Sequence, residues 1–256
     1  MRILLTNDDG IRAPGIRALA QVARRFGEVK VFAPDRERSA CSHSMTMREP
    51  LRVWAVEFDG IEAFEVTGCP VDCVNIGLKL GFAGGCDLVL SGINDGPNVG
   101  VDVTYSGTVG GAMEGAICSI RSIAISMATI VEGAPPHFET GARWLEENWH
   151  MLMGAQLPFR TFLNVNIPAI AWEQIQGHRW VAMGGKVYSD RIEERSDPRG
   201  RPYYWQGGVA ALNVEQPETD VAAISDGYVA ITPIRTDWTD HAALASLRDG
   251  ATSAIK

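Results

Sequence analysis

The sequence predicts an α/β protein, a doubly wound, Rossmann-like and mostly parallel sheet with a C-terminal extended β-hairpin appendage. Three observations carry that reading. Short apolar runs alternate with stretches of helical apolar spacing through the first two thirds of the chain, as repeated β-α-β units require. Several of those runs stop abruptly in glycine and polar residues, the pattern expected where parallel strands end at a ligand edge. From about Gly177 the helical spacing gives way to short strand candidates, which divides the chain into an α/β catalytic core, 1–176, and an extension, 177–256, with a returning core strand and a terminal helix.

The first strand is the run Ile3, Leu4, Leu5, and it ends in Thr6-Asn7-Asp8-Asp9-Gly10. Adjacent carboxylates at the end of a buried strand repel each other and raise each other's pKa, a cost that a cation removes. Oxygen donors of this kind suit hard ions such as Mg²⁺ or Mn²⁺. Capping of the next turn would explain a single aspartate; an Asn-Asp-Asp triplet with more oxygen donors downstream favours a metal. Pro14 then opens a helix whose Ile16, Leu19, Val22, Ala23 and Phe26 share a face, and Val29 to Ala33 is the second strand. The polar stretch from Asp35 to Thr46 reads as a loop at the same sheet edge, with His43 a solvent-facing histidine in it.

Leu51 to Phe58 and Ala63 to Val66 read as an antiparallel pair joined through Asp59-Gly60. Pro70 and Asp72 start a helix through Leu80, and Cys86 to Ser91 is the next strand. The glycine-rich turn after it, Ser91 to Gly100, leads through Tyr105-Ser106-Gly107-Thr108 into a small-residue helix, Val109 to Ile120. Glycines allow backbone amides to approach a ligand, and a helix start offers free N–H groups with a favourable dipole, so this is an anion site in outline. Gly110, Gly111, Ala112 and Gly115 equally suit close packing of helix on sheet. Ile123 to Ala128 and Phe162 to Ile167 are strands on either side of a helix, Phe138 to Met153. In the extension, Trp180 to Met183, Tyr203 to Gln206 and Ala211 to Val214 are short strands around a charged, turn-rich stretch from Arg191 to Arg201. A short helix, Thr219 to Ile224, a strand, Tyr228 to Pro233, and a helix, His241 to Leu247, complete the chain.

With 256 residues and 46% apolar content the chain can bury one main core. A net charge of -8 argues against a duplex nucleic-acid partner, which relies on clustered Lys and Arg, yet leaves phosphate chemistry open where a metal or helix N-termini give local help. Cys41, Cys69, Cys73, Cys86 and Cys118 show no paired C-x-x-C spacing, which fits reduced, structural thiols. No run approaches the roughly 18 apolar residues of a membrane span, and Met1 leads straight into the first strand, so a cytoplasmic protein without membrane association is expected.

The motifs resemble those of a known family. Met1 to Gly10, Ala33-Pro34-Asp35-Arg36 with Arg38-Ser39, Ser91-Gly92-Ile93-Asn94 with Gly96, Asn98 and Gly100, and Tyr105-Ser106-Gly107-Thr108-Val109 are similar to the survival protein SurE family. So are Phe162 to Pro168, Tyr203-Tyr204-Trp205 and Asp226 to Pro233, in order along nearly the whole chain. The resemblance implies a metal-dependent 5'/3'-nucleotidase that hydrolyses nucleoside monophosphates, with short-chain polyphosphate as a further substrate. It implies one divalent ion per subunit held by Asp8, Asp9, Ser39 and Asn94, and phosphate contacts from Asn98, Ser106, Gly107 and Thr108. Asp8 and Asp9 are the catalytic candidates, either able to accept the proton of an attacking water. It also implies that the C-terminal region builds a homodimer or homotetramer. The sequence departs from the family at Cys69, usually threonine, and at Gly110-Gly111, usually alanines.

Two other classes use an acidic pair after a first strand. A deacetylase-like metal hydrolase needs histidine ligands before the pair, where this chain has Thr6-Asn7. A phosphoacceptor receiver module is far shorter than this chain and has no second glycine-rich loop. A dinucleotide-binding domain is weaker still, since no G-x-G-x-x-G follows the first strand.

Overall fold

In the computed structural model, residues 1–82, 84–129, 135–188, 191–207, 210–212 and 216–253 are described. Among these residues, nine strands form the main sheet. In chain order its first members are β1 (Arg2–Thr6), β2 (Glu28–Pro34), β3 (Val53–Val56) and β4 (Glu62–Val66), followed by β5 (Leu88–Asp95), β6 (Arg121–Ala128) and β7 (Thr161–Pro168). β8 (His178–Trp180) and β13 (Val229–Arg235) complete it in the spatial order β3-β4-β2-β1-β5-β6-β7-β13-β8. Pairing is parallel from β4 across to β7, and β3 and β13 enter antiparallel to β4 and β7.

Helices cover both faces. α1 (Pro14–Ala23) and α4 (Phe138–Gly154) pack on one side, where Ile16, Leu19, Leu145, Trp149 and Leu152 join the inward residues of β1, β5 and β6 in one buried cluster. Phe26, placed on the α1 face by its spacing, lies past the helix end and stacks on Trp149 at 4.2 Å between centroids. On the other face lie α2 (Pro70–Leu80) and α3 (Gly107–Ile117), with Val74 of α2 against Leu4, Phe32 and Val89 and with Val109 and Ala112 of α3 against Ala124 and Phe162. Gly111 shows why α3 is built from small residues: a Cβ there would lie 2.8 Å from Ser91 Oγ and 2.9 Å from Thr6 Cγ2. α2 begins where a first-turn proline and a capping aspartate place it, the Cys69 amide donating to Asp72 Oδ2 at 2.9 Å.

The extension departs from the expectation in detail. The stretch from Arg191, expected to be turn-rich throughout, supplies a strand, β10 (Arg191–Ser196), which pairs with β11 (Pro202–Gly207) as a two-stranded antiparallel sheet outside the main one. Only Asp197 to Arg201 is a turn, closed by the Asp197 amide on the Arg201 carbonyl. Alternation in Arg191–Ser196 is masked by charge on both faces, because this hairpin has no core side to demand an apolar one. β9 (Lys186–Tyr188) and β12 (Ala210–Leu212) form a second two-stranded sheet, and residues 213–214 of the expected strand lie outside the described residues. Trp180 ends β8 inside the main sheet, which therefore reaches past residue 177. α5 (Asp220–Ser225) and α6 (His241–Ser253) follow the predicted helices. No helix among the described residues is long and apolar enough to cross a membrane.

Candidate active site at the β1/β5 switch point

From β1 the chain runs outward through β2 on one side, while β5 takes the other side, so the strand order reverses between β1 and β5. Open parallel sheets form their ligand crevice at that reversal, beyond the carboxyl ends of the strands. Asp8 and Asp9 follow β1, and Asn94 and Asp95 are the last residues of β5. The Asn7 side-chain amide donates to the Gly10 carbonyl at 3.0 Å and closes the first turn. The loop after β2 is laid across it, the Arg38 amide donating to the Asp8 carbonyl at 2.7 Å.

Asp8 is 4% exposed and faces the start of α3. The Thr108 amide donates to Asp8 Oδ2 at 3.0 Å and the Thr108 hydroxyl donates to Asp8 Oδ1, while the same hydroxyl lies 3.4 Å from Asn94 Oδ1. Thr108 is thus the hub that joins the β1 and β5 loops. Burial pushes the Asp8 carboxyl upward, and the Thr108 hydroxyl and amide oppose that push. The Asn94 side-chain N–H₂ donates to the Gly96 carbonyl at 2.8 Å, which fixes its oxygen toward Thr108.

Asp9 is pushed up to about 7, first by burial and then by the Asp8 charge, with Asp95 and Glu37 adding to it and the Asp95 amide opposing it. A bound cation would lower the repulsion that Asp9 feels from these neighbouring charges. Ser39 arrives on the neighbouring loop, its hydroxyl donating to Glu37 Oε1 at 2.7 Å. Carboxylate, amide and hydroxyl oxygens are the donors a hard divalent ion takes, so Asp8, Asp9, Ser39 and Asn94 fit such an ion. Among the described residues no group of three or more histidine, cysteine or acidic side chains is arranged to hold an ion, so amide and hydroxyl oxygens would have to complete its shell.

The expected phosphate contacts divide in two. Ser106 caps α3, its oxygen accepting from the Val109 amide at 3.1 Å, and Gly107 stands beside Asp8 where any Cβ would meet Asp8 Oδ2 at 2.9 Å. Both lie at the crevice. Thr108 instead spends both donors on Asp8. Asn98 is turned into a buried polar network: its side-chain N–H₂ donates to Ser126 Oγ at 2.8 Å, its amide donates to Asn166 Oδ1, and its carbonyl accepts from Asn164 and Asn166.

Other residues at the site have no mark in the sequence. His43 is not simply solvent-facing: its Nε2 lies 2.7 Å from Glu114 Oε2, and Glu114, the one charged residue of α3, is 6% exposed. The His43 and Asn75 side chains hold the Glu114 carboxyl below the usual range. That pair ties the loop carrying Ser39 to the helix that supports Asp8. Asp220, fully buried, accepts from the Gly100 amide at 2.8 Å and the Gly184 amide at 2.7 Å, which anchors the glycine-rich loop to the base of the extension. A cavity of about 1510 Å³ opens from Ser106 and His43 between Val103, Met113, Trp180 and Trp238.

The survival protein SurE family model matches residues 3–190. The chain belongs to the SurE family. It is 42% identical to the 5'-nucleotidase SurE of Geobacter sulfurreducens over 256 residues, covering all of this chain and 96% of that one. It is 43% identical to the 5'-nucleotidase SurE of Geotalea uraniireducens over 249 residues, or 97% and 98% of the two chains. Its fold is similar to the crystal structure of the SurE protein from Aquifex aeolicus, with a TM-score of 0.80, 39% identity, and coverage of 96% and 98%. The matched span contains the switch-point residues, from the Asp8-Asp9 pair to the start of α3.

Proposed function

We propose that this chain is a phosphomonoester hydrolase that releases phosphate from nucleoside monophosphates with the help of one divalent ion, Mg²⁺ or Mn²⁺. The observation that carries the reading is the Asp8-Asp9 pair at the β1/β5 crevice, with Asp8 tied to the N-terminus of α3 and Asp9 raised to about 7. The full-length relatives named 5'-nucleotidase support the choice of substrate class. Asp8, Asp9, Ser39 and Asn94 would hold the ion. The ion would supply Lewis-acid chemistry there, withdrawing charge from a phosphoryl oxygen and making a water easier to deprotonate.

The protein's own part is to fix and to receive. Thr108 holds Asp8 in one orientation, so the carboxylate costs no reorganisation during the reaction. Asp9, at the mouth of the crevice beside Asp8, is the group that takes the proton of the attacking water. Ser106 keeps a hydroxyl proton to donate, and the first N–H groups of α3 at Gly107 meet phosphoryl oxygens. Asn98 shapes the loop that closes the site, and Thr108 contributes through Asp8 rather than by direct contact. The nucleoside lies toward the cavity beyond Ser106 and His43. Short-chain polyphosphate, with the same terminal phosphoryl group, is a second substrate class for this site, and 5' and 3' phosphates are both candidates.

We also propose a homodimer or homotetramer formed through the extension. Tyr204 and Trp205 are about 60% exposed on a hairpin that pairs with nothing else among the described residues, and a lone two-stranded hairpin is marginal in water.

The deciding experiment is phosphate release from 5'- and 3'-nucleoside monophosphates and short polyphosphate, and acetate release from an acetylated amide, each with and without chelator. Chelator-sensitive release from a nucleoside monophosphate is expected, restored by Mg²⁺ or Mn²⁺. Release that persists in excess chelator would overturn the metal assignment, and turnover of the amide alone would overturn the reaction class.

A further inference from the structure

We propose that Asp220 is a positioning residue for the hydrolysis, locking the 3-10 turn Gly100–Thr104, and with it the Ser106 end of the crevice, to the first residues of the extension. Its side chain is fully buried, and a carboxylate without water around it needs donors from the fold. Three amides supply them. Oδ2 accepts from the Gly100 N–H at 2.8 Å, and Oδ1 accepts from the Gly184 N–H at 2.7 Å and the Val221 N–H at 2.8 Å. One charged group thereby ties α5 to segments 36 and 120 positions away in the chain. Capping of α5 does not account for this, because Thr219 Oγ1 already accepts from the Ala222 amide at 3.3 Å.

The turn that Asp220 holds is the seat of both halves of the crevice. Gly100 opens it at a φ of 52°, and the first N–H groups of a helical turn have no partner inside it, so the Gly100 amide is free to reach the carboxylate. At the far end the Asp102 carbonyl accepts from the Tyr105 amide at 2.9 Å and the Ser106 amide at 3.1 Å, which sets where α3 begins. The loop that carries Ser39 rests on the same turn. The Ser42 hydroxyl donates to the Thr104 carbonyl at 2.7 Å, and the Ser42 amide donates to the Tyr105 carbonyl at 2.8 Å. A shift of Gly100 therefore reaches Ser106 and the Ser39 loop together. Asn98, two residues earlier, has its own anchors in Ser126 and Asn166, so Asp220 serves the downstream side.

The opposite anchor lies outside the crevice. Gly184 and Gly185 lead directly into β9, and the Gly185 amide donates to Gln216 Oε1 at 3.0 Å. The Asp220 amide donates to the Ala182 carbonyl at 2.9 Å, beside a bridge between Ala182 and Thr219. Val99, Val181 and Val221 pack in one buried cluster around this joint, and close-packed interiors transmit strain rather than absorb it. A Cβ on Gly184 would lie 3.1 Å from Asp220 Oδ1 and 3.0 Å from Thr219 Cβ, so a side chain there crowds the carboxylate from the extension side. Displacements on the order of 1 Å at a reacting centre commonly cost about a hundredfold in rate, even when the cause is remote.

The effect on turnover rests on the nucleotidase reading, while the joint does not, and the test separates the two. Asp220→Asn exchanges one acceptor oxygen for an N–H₂ that faces an amide N–H, and Gly184→Ala crowds the same carboxylate without deleting any group. For the full chain and each variant, kcat and KM for a nucleoside monophosphate with Mn²⁺ are measured where circular dichroism shows the folded state, and amide hydrogen exchange is followed over residues 100–106. In Asp220→Asn, kcat is expected to fall at least about tenfold while KM stays within about threefold. Gly184→Ala should show a smaller loss of the same kind, and exchange over 100–106 should quicken in both. A parent-like kcat in folded Asp220→Asn, a loss carried by KM alone, or a loss that only tracks the unfolded fraction overturns the proposal. Should Asp220→Asn fail to fold, Gly184→Ala decides, and a parent-like kcat there overturns it. A parent protein inactive on every phosphomonoester would sink the nucleotidase reading instead, and the exchange over 100–106 would still decide whether Asp220 holds the turn.

Discussion

Thr108 gives both its backbone N–H and its hydroxyl to the carboxylate of Asp8, across 100 positions of sequence. The N-terminus of α3 is thereby aimed at the carboxylate that follows β1. Replacing Thr108 with Val removes the hydroxyl and keeps the amide. Phosphate release is expected to fall about 10- to 100-fold, the equivalent of one hydrogen bond to a charged group at about 1.5–3 kcal/mol. Thr108→Ser should keep most activity. Near-normal turnover in Thr108→Val would show that the hydroxyl does no positioning.

Asp9 gives a pH signature in the ion-free protein. Its folded pKa is about 7 against an ordinary value near 4, so between those limits the folded state holds more protons than the unfolded one. Stability contributed by Asp9 is therefore lost as pH rises from about 4 to about 7. Asp9→Asn removes this term while Asp8 stays, so in chelator the melting temperature of the variant should overtake that of the parent as pH increases across that window. Equal pH slopes for the two proteins would contradict it. Added Mg²⁺ or Mn²⁺ should raise the melting temperature of the parent alone.

The His43–Glu114 pair makes the opposite prediction. The Glu114 carboxyl is held low, so its contribution is present above the ordinary carboxylate range and is lost on acidification. His43→Ala strands a buried carboxylate and should cost about 1–3 kcal/mol in urea unfolding at neutral pH. His43→Gln, which can still donate, should recover part of it. A His43→Ala protein as stable as the parent would remove the pair from the account of how the Ser39 loop is held.

Asn98 separates shaping from contact. Asn98→Ala deletes the donor to Ser126 and should lower stability by about 1–3 kcal/mol, with a loss of activity that follows the loss of fold. A stable Asn98→Ala protein with greatly reduced kcat would instead place that side chain on the phosphate.

The exposed hairpin predicts assembly. Light scattering at micromolar concentration should give at least twice the 27.8 kDa chain mass, and Tyr204→Ser with Trp205→Ser should shift the population toward the monomer. A parent protein that runs as a clean monomer refutes the interface.

The sequence by itself determined the α/β class, the element order of the core and the Asp8-Asp9 pair, because buried strands and amphipathic helices write their periods directly into the chain. Pro70 and Asp72 even set the start of α2 to the residue. It also displayed the motifs that identify the SurE family, since those residues are contiguous in short loops. The tertiary structure alone decided that Thr108 serves Asp8, that Asn98 turns into a network with Ser126, Asn164 and Asn166, that His43 finds Glu114, and that Asp95 and Glu37 load Asp9 with charge. Each depends on contacts between positions far apart in the chain, where partner and direction follow from strand order and helix docking and leave no local pattern. The β10 strand was hidden for a related reason: a hairpin without a core face has no apolar alternation to reveal it.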